Sequence, residues 1–422
     1  MSLAGSQHKI LLRLLAALRP HWREDVNLPS RIQGAFAANR SFGSRDRKLY
    51  RELIYTTLRY LPWIEPLLDS DFERAGKVIA WLAADLPATR GFREAWCGDW
   101  PACPATVAEK AAFLKMDAEA LLPAWVARHR PEAALSPDLD ALHTRAPLWL
   151  RLQGSPAAPV IEELAGLGWS ATVSPVLTSA IEVRSEADVT RTRAWQEGRI
   201  EVQDLGSQMI LASVGVPAGG RWLDVCAGAG GKTLQLAFLL GPTGRVEAHD
   251  IRASALAELR IRATRAGLNV SPAADSGAGT VPPRPAPTQS GAAIAIVAAP
   301  GGSYDGVLVD APCSGSGTWR RSPHLKWTTG AGQVTQAAAT QRQLLEQHCG
   351  FVRPGGWLVY ATCSLSRFEN EDVVSAFLAS HPDFALAAPA QPFGFATTAA
   401  GLSISPARHN TDWFFVAALR RS

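Results

Sequence analysis

The 422-residue chain has no uninterrupted apolar run approaching the ~18 residues of a membrane span, which excludes a helical membrane protein. The early run Ile10-Leu11-Leu12-Arg13-Leu14-Leu15 is interrupted by Arg13 and followed by Arg19, so helical spacing explains it better than a signal core. Cysteine is scarce, six in all with no Cys-x-x-Cys pair, which fits neither a disulfide framework nor a zinc ribbon. The thiols are therefore expected to be reduced, the protein cytoplasmic, and a metal site absent. A strong charge of one sign is missing too, since the net charge is only +4. Tyrosine is rare, 5 residues beside 14 tryptophans, and that ratio carries no functional reading. There is no internal repeat. What remains, 19% charged and 47% hydrophobic residues, fits a globular protein with sizeable cores. At roughly 150 residues per domain the length suggests two or three domains.

The charge is unevenly placed. Residues 1–60 hold 11 Lys/Arg against 4 Asp/Glu, whereas residues 61–140 hold 8 against 13. The cations Arg40, Arg45, Arg47, Lys48, Arg51 and Arg59 alternate with Tyr50, Tyr55 and Tyr60. Such a patch suits a phosphate backbone, and a solvated helix face explains it equally well. Apolar spacing from about 5 to 130 is helical, as in Leu49, Leu53, Ile54 and Leu58, with prolines at 62, 66, 87, 101, 104 and 123 as breaks. From 145 to 215 the pattern is that of a small α+β unit. From 220 onward strands alternate with helices, which argues for a mostly parallel sheet covered on both faces. The stretch 271–303, rich in Pro, Gly, Ala and Ser, reads as a loop insertion.

In this last region Asp224-Val225-Cys226-Ala227-Gly228-Ala229-Gly230-Gly231-Lys232-Thr233 follows an apolar strand and opens a helix. Glycines there let a ligand approach the backbone at a helix N-terminus. Three readings compete. A nucleotide phosphate loop needs Gly five positions before Gly231, where Cys226 stands. A dinucleotide site gains from Asp250, at the end of the next strand, but the glycine spacing departs from its fingerprint. The third is an S-adenosylmethionine site, with the same Asp250 on the ribose hydroxyls.

Two cysteines also occupy strand-end positions. The run Tyr304-Asp305-Gly306-Val307-Leu308-Val309-Asp310 leads into Ala311-Pro312-Cys313-Ser314-Gly315, and Trp357-Leu358-Val359-Tyr360 leads into Ala361-Thr362-Cys363-Ser364. Open α/β sheets bind ligands beyond the carboxyl ends of their strands. A lone cysteine is usually a small buried hydrophobe. Two at such positions, near an Asp and a cofactor-type loop, point to chemistry.

These segments, Asp224–Thr233, Asp310–Thr318 and Ala361–Ser364, resemble the cofactor loop and paired-cysteine motifs of bacterial RNA (cytosine-5)-methyltransferases of the RsmB/Sun (Fmu) family. Gln203-Asp204-Leu205-Gly206-Ser207-Gln208 resembles the segment before that family's core. Arg320 to Trp327 resembles its basic stretch, and Glu369-Asn370-Glu371 its acidic helix start. Ser44-Arg45-Asp46-Arg47 resembles the NusB-like RNA-binding domain of bacterial members. The resemblance implies an all-α NusB-like domain over 1–140 and a small α+β subdomain over 141–215. A Rossmann-like α/β catalytic domain would follow over 216–422. Three positions depart from the pattern: Ala227-Gly228-Ala229-Gly230-Gly231-Lys232 stands for Ala-Ala-Pro-Gly-Gly-Lys, differing at Gly228 and Ala229, and Trp413 replaces a usual Gly.

The roles implied by resemblance are as follows. Cys363 adds to ring carbon 6, making carbon 5 nucleophilic. Lys232 or a nearby basic group favours the thiolate, Asp310 supports the ring at nitrogen 3, and Cys313 assists release. S-adenosylmethionine is held by Cys226, Ala227, Gly228, Ala229, Gly230, Gly231, Lys232 and Asp310, with Asp250 and Asp275 as further carboxylates. Arg320, Arg321, Lys326 and Trp327 would hold phosphates and stack an unpaired base of the RNA substrate, ribosomal RNA by resemblance. The rivals are attack by Cys313, as in DNA cytosine methyltransferases, an inactive ribosome-assembly or antitermination-type factor, and a nicotinamide dehydrogenase.

Overall fold

Apolar spacing through the first 140 residues folds into helices in the computed structural model, which describes residues 2–135, 137–271 and 291–422. Two compact units result: residues 1–146 with 315–333, and residues 147–314 with 334–422.

In the first unit, helices Leu3–Leu18, Leu28–Ala38, Ser44–Arg59, Leu61–Ser70 and Phe72–Leu82 bury Leu11, Leu15, Ile32, Leu49, Leu53, Leu58 and Trp81. The helix Ser44–Arg59 starts where Asp46 accepts a hydrogen bond from the Gly43 amide at 3.1 Å, closing the first turn. The expected interleaving of cations and tyrosines survives only at half-buried Tyr55. Tyr50 turns inward onto Phe42, with ring centroids 5.0 Å apart, and buried Tyr60 donates to the His143 carbonyl at 3.0 Å. Arg59 is buried, leaving Arg40, Arg45, Arg47, Lys48 and Arg51 exposed. An aromatic ring buries too much apolar area to remain on a helix face that can turn it inward.

In the basic stretch after Cys313, Arg321 is exposed, but Arg320, Lys326 and Trp327 turn inward. Arg320 and Lys326 are each only 2% exposed. Lys326 Nζ donates to the Arg59 carbonyl at 2.8 Å and Trp327 Nε1 to the Leu58 carbonyl at 2.6 Å. Those carbonyls end a helix and have no intrahelical donor, so a cation and an indole N–H complete them. Arg320 donates to Thr144 Oγ1 at 3.1 Å. Burial holds the Lys326 ammonium well below its ordinary pKa, with the Arg59 charge adding to it. These side chains cap helices and do not reach outward for phosphates. Tryptophan repeats this pattern elsewhere in the unit: Trp63 donates to the Asp117 carbonyl at 2.6 Å and Trp81 to the Pro101 carbonyl at 2.7 Å.

The second unit begins with an antiparallel sheet of β1 (Leu148–Leu152), β2 (Ala171–Val173), β3 (Ala180–Val183) and β4 (Ile200–Val202), ordered β2-β3-β1-β4. The helix Ala157–Gly166 covers it through Val160 and Leu164. The larger sheet contains β5 (Gly220–Asp224), β6 (Gly244–Ala248), β7 (Val270–Ser271), β8 (Ala293–Ile296), β9 (Tyr304–Asp310) and β10 (Val352–Thr362), all in parallel pairs. β11 (Phe384–Leu386), β12 (Thr397–Thr398), β13 (Gly401–Ile404) and β14 (Phe414–Arg421) extend it antiparallel. Its order is β12-β13-β14-β10-β9-β5-β6-β8-β7, with β11 on β14. Strand residues alternate between two cores: Trp222, Leu308 and Val359 on one face, Leu223, Val307, Leu358 and Tyr360 on the other. Burial on both faces is what a parallel sheet requires. Gly306 is needed where it stands, because a Cβ there would lie 2.5 Å from the Trp222 ring.

The segment 271–303 is not wholly a loop. Ala293–Ile296 pairs with both β6 and β7. Its short alternation of Ala and Ile is buried on the sheet, while the uncharged composition around it hides the strand. Among the described residues no helix is long and apolar enough to cross a membrane.

Candidate active site

The chain enters the sheet at β5 and moves outward through β6 on one side, then returns to β9 and β10 on the other. Open α/β sheets bind their ligands at such a reversal, here beyond the carboxyl ends of β5 and β9. The loops after β5, β6, β9 and β10 carry the sequence candidates there.

After β5 the chain turns through Gly228 and Gly230, at φ 53° and 87°, before the helix Gly231–Leu240. A Cβ on Gly230 would lie 2.7 Å from the Leu259 side chain, whereas one on Gly231 would meet nothing within 4 Å. The loop is braced from behind. Arg262 donates to the Ala229 carbonyl at 2.7 Å and to Glu201 Oε2 at 2.8 Å, and Arg265 also pairs with Glu201. Arg151, on β1, donates to the Gly231 carbonyl and to Gln203 Oε1, both at 2.7 Å. Burial among neutral acceptors lowers the Arg151 guanidinium to about 9. The altered Ala229 position is thus held by arginines that carry no motif of their own in the sequence. Trp413, the other departure, is buried and donates to Ser403 Oγ at 2.9 Å.

Asp250 accepts from the Gly228 amide at 2.8 Å and from the Arg252 guanidinium and amide. Burial pushes its carboxyl up, but these donors together outweigh it and hold it below the usual range. Cys226 lies among carboxylates: burial first, then Asp224, Asp310 and Asp250, push its thiol up to about 12. It remains a protonated thiol. Asp275 lies outside the described residues, and the Val297-Ala298-Ala299 that follows β8 carries no carboxylate.

Asp224 is buried at the end of β5, with Oδ2 accepting from Thr233 Oγ1 at 2.7 Å and Oδ1 lacking a partner among the described residues. Burial drives its carboxyl up to about 7, against the Thr233 hydrogen bond and with Asp310 adding to the rise. The folded protein therefore holds a proton that the unfolded chain releases near pH 4. This contribution to stability is present at low pH and is lost as pH rises through about 7. Asp224→Asn should flatten the fall in stability between pH 5 and pH 8 by roughly 2–4 kcal/mol, read from denaturant midpoints. Equal slopes for both proteins would contradict the burial argument.

The orphaned Asp224 oxygen and the open space beside Gly231 suit a ligand bearing polar donors. The first amides of the helix, which have no intrahelical acceptors, add an electropositive edge. The residues present fit S-adenosylmethionine. Among the described residues no group of three or more His, Cys, Asp or Glu could hold a metal ion.

Lys232, 9% exposed, forms an ion pair with Asp310 at 2.8 Å. The two cysteines come together from neighbouring strands, with Cys313 Sγ 3.4 Å from Cys363 Sγ. That is thiol contact, well beyond the ~2.05 Å of a disulfide. Glu369, fully buried, lies behind them and accepts from Ser314 and Ser364. In the sequence Glu369 reads only as a helix start; its buried role depends on loops 55 residues apart.

The family described as 16S rRNA methyltransferase RsmB/F matches residues 214–420. The ribosomal RNA small subunit methyltransferase B of Xanthomonas campestris pv. campestris is 30% identical over 90% of this chain and 90% of its own length. Its counterpart in Sodalis glossinidius is 32% identical over 71% of this chain, an alignment spanning 63% of that relative. The solved structure of a methyltransferase homologue protein from Pyrococcus horikoshii, 22% identical, superposes with a TM-score of 0.56 over 75% of this chain and 99% of its own, and shows the shared fold. The chain belongs to the RsmB/F family of 16S rRNA methyltransferases.

Proposed function

We propose that the chain transfers a methyl group from S-adenosylmethionine to carbon 5 of a cytosine in small-subunit ribosomal RNA, through a covalent cysteine adduct. Membership of the family makes it a methyltransferase. The observation that carries the covalent route is the pair of sulfurs 3.4 Å apart beyond β9 and β10, beside an Asp310–Lys232 ion pair.

Carbon 5 of cytosine is a poor nucleophile. The Cys363 thiolate adds to carbon 6, and the displaced π electrons make carbon 5 enamine-like. The proton that the Cys363 thiol gives up is relayed through Asp310, held by Lys232, to ring nitrogen 3, and Asp310 takes it back as the adduct resolves. The cofactor, when bound, supplies an electrophilic methyl group. Cys313 then removes the proton from carbon 5. The electrons of that C–H bond re-form the 5,6 double bond and expel Cys363. Backbone amides of Cys226 to Lys232 hold the methionine end of the cofactor, and Asp250 its ribose. Thiols that must remain reduced at this spacing favour the cytoplasm as the enzyme's compartment. Incubating small-subunit ribosomal RNA with methyl-labelled cofactor tests the reading. Label should appear at a cytosine that then resists bisulfite; label elsewhere, or none, would reject it.

The exposed cations Arg40, Arg45, Arg47, Lys48 and Arg51 supply RNA affinity. Replacing all five by glutamine should weaken RNA binding and flatten its salt dependence, by about 0.7–0.9 in the log–log slope for each phosphate no longer neutralised. An unchanged slope would remove this surface from the RNA interface.

A further inference from the structure

The parallel ladder between β9 and β10 ends at Asp310 opposite Ala361, and the Ala311 amide makes one more bond to the Ala361 carbonyl. Beyond that point no strand pairing fixes the two cysteine loops relative to one another. The Glu369 carboxylate bridges the loops there, beside a direct Ser314 Oγ–Ser364 Oγ contact at 3.3 Å. Glu369 Oε1 accepts from the Ser314 amide at 2.7 Å and from Gln341 Nε2 at 3.1 Å. Its Oε2 accepts from Ser314 Oγ at 2.6 Å and Ser364 Oγ at 2.5 Å. Ser314 follows Cys313 and Ser364 follows Cys363. Gln341 also donates to the Pro312 carbonyl at 3.0 Å, on the other side of Cys313. Asn370 donates to the Ser364 carbonyl at 2.8 Å and accepts from Thr362 Oγ1 at 2.5 Å, bracketing Cys363. Glu369 is itself anchored to β10, its carbonyl accepting from Tyr360 Oη.

We propose that Glu369 is a positioning residue that sets the separation of the two thiols, and so couples adduct formation to adduct release. The proposal rests on the reading of Cys363 as the attacking thiol and Cys313 as the releasing one. Attack uses Cys363 and Asp310 but not Cys313. Release requires Cys313 to reach the carbon 5 proton while Cys363 is still bonded to carbon 6. Loosening the clamp therefore slows release more than attack.

The donors around Glu369 also say which substitution is tolerated. The Ser314 amide and the Gln341 amide group can only donate to Oε1, whereas the two serine hydroxyls can rotate and accept. A glutamine with its carbonyl toward Ser314 N and its amide toward the hydroxyls satisfies all four. Alanine satisfies none.

The test uses the full-length chain and two readouts. In the first, diamide removes one hydrogen from each thiol, becoming the hydrazine as the Cys313–Cys363 disulfide forms, and peptide mass spectrometry times the product. In the second, rapid quenching times formation and decay of the adduct with small-subunit ribosomal RNA. Glu369→Ala should slow diamide coupling about tenfold and adduct release about 100-fold, with a smaller loss in adduct formation and little change in KM for RNA. Glu369→Gln should recover most of both. If Glu369→Ala does not fold, Ser364→Ala, which removes one of the four bonds, should move both readouts in the same direction by a smaller factor. Coupling at the wild-type rate, or formation and release reduced equally, overturns the proposal. Slowed coupling in a protein whose wild type forms no RNA adduct supports the clamp and rejects the covalent reading instead.

Discussion

Cys363→Ala should form no covalent RNA species and should lose methyl transfer by ~10⁴-fold or more, while Cys313→Ala should accumulate a protein–RNA species that survives denaturing gels. The two thiols are neighbours at 3.4 Å, so proximity alone cannot separate their roles. Order in the reaction can. Without Cys363 nothing adds to carbon 6, and carbon 5 never becomes nucleophilic. Without Cys313 addition and methylation proceed, but the carbon 5 proton stays and the bond to Cys363 does not break. The trapped species should therefore carry the methyl group. Trapping in the Cys363 variant instead would exchange the two roles, as in the DNA-type arrangement. Activity retained by both variants would make the cysteines structural.

The features that the sequence announced are those written locally. The cofactor-type loop is a contiguous strand, glycine turn and helix, and the cysteines follow strands whose apolar runs are unbroken, so both could be placed without knowing the fold. What the sequence hid is long-range. Lys326 looks like a surface cation until its acceptor, the Arg59 carbonyl that ends Ser44–Arg59, is known. Tyr50 and Tyr60 alternate with arginines in sequence, but a helix turns them to its inner face. Glu369 reads as a helix-start acid because its partners Ser314 and Gln341 lie 55 and 28 residues away. Arg262 gave no signal at all, being one of several cations on the helix Ala253–Arg265. β8 escaped because its short run of alanines and isoleucines follows a long stretch rich in Pro, Gly, Ala and Ser with almost no charge.

Asp310→Asn should reduce turnover by ~10²–10⁴-fold, the usual range for losing a positioned acid–base group. The substitution keeps the shape but removes the charge that Lys232 pairs with at 2.8 Å. An amide also accepts less strongly from a protonated ring nitrogen, so the addition step itself should slow. In the Cys313→Ala background, where adduct accumulates, adding Asp310→Asn should cut the rate of trapping by the same factor. Cofactor affinity, measured by calorimetry, should change much less. If trapping stays fast and cofactor affinity collapses, Asp310 serves the cofactor and not the base.

The most direct test of the covalent account is to isolate the species trapped by Cys313→Ala, digest it, and map the nucleotide-bearing peptide by mass spectrometry. The account predicts one modified peptide, carrying a methylated cytosine nucleotide on Cys363. A nucleotide on any other cysteine, or an unmethylated adduct, would contradict it.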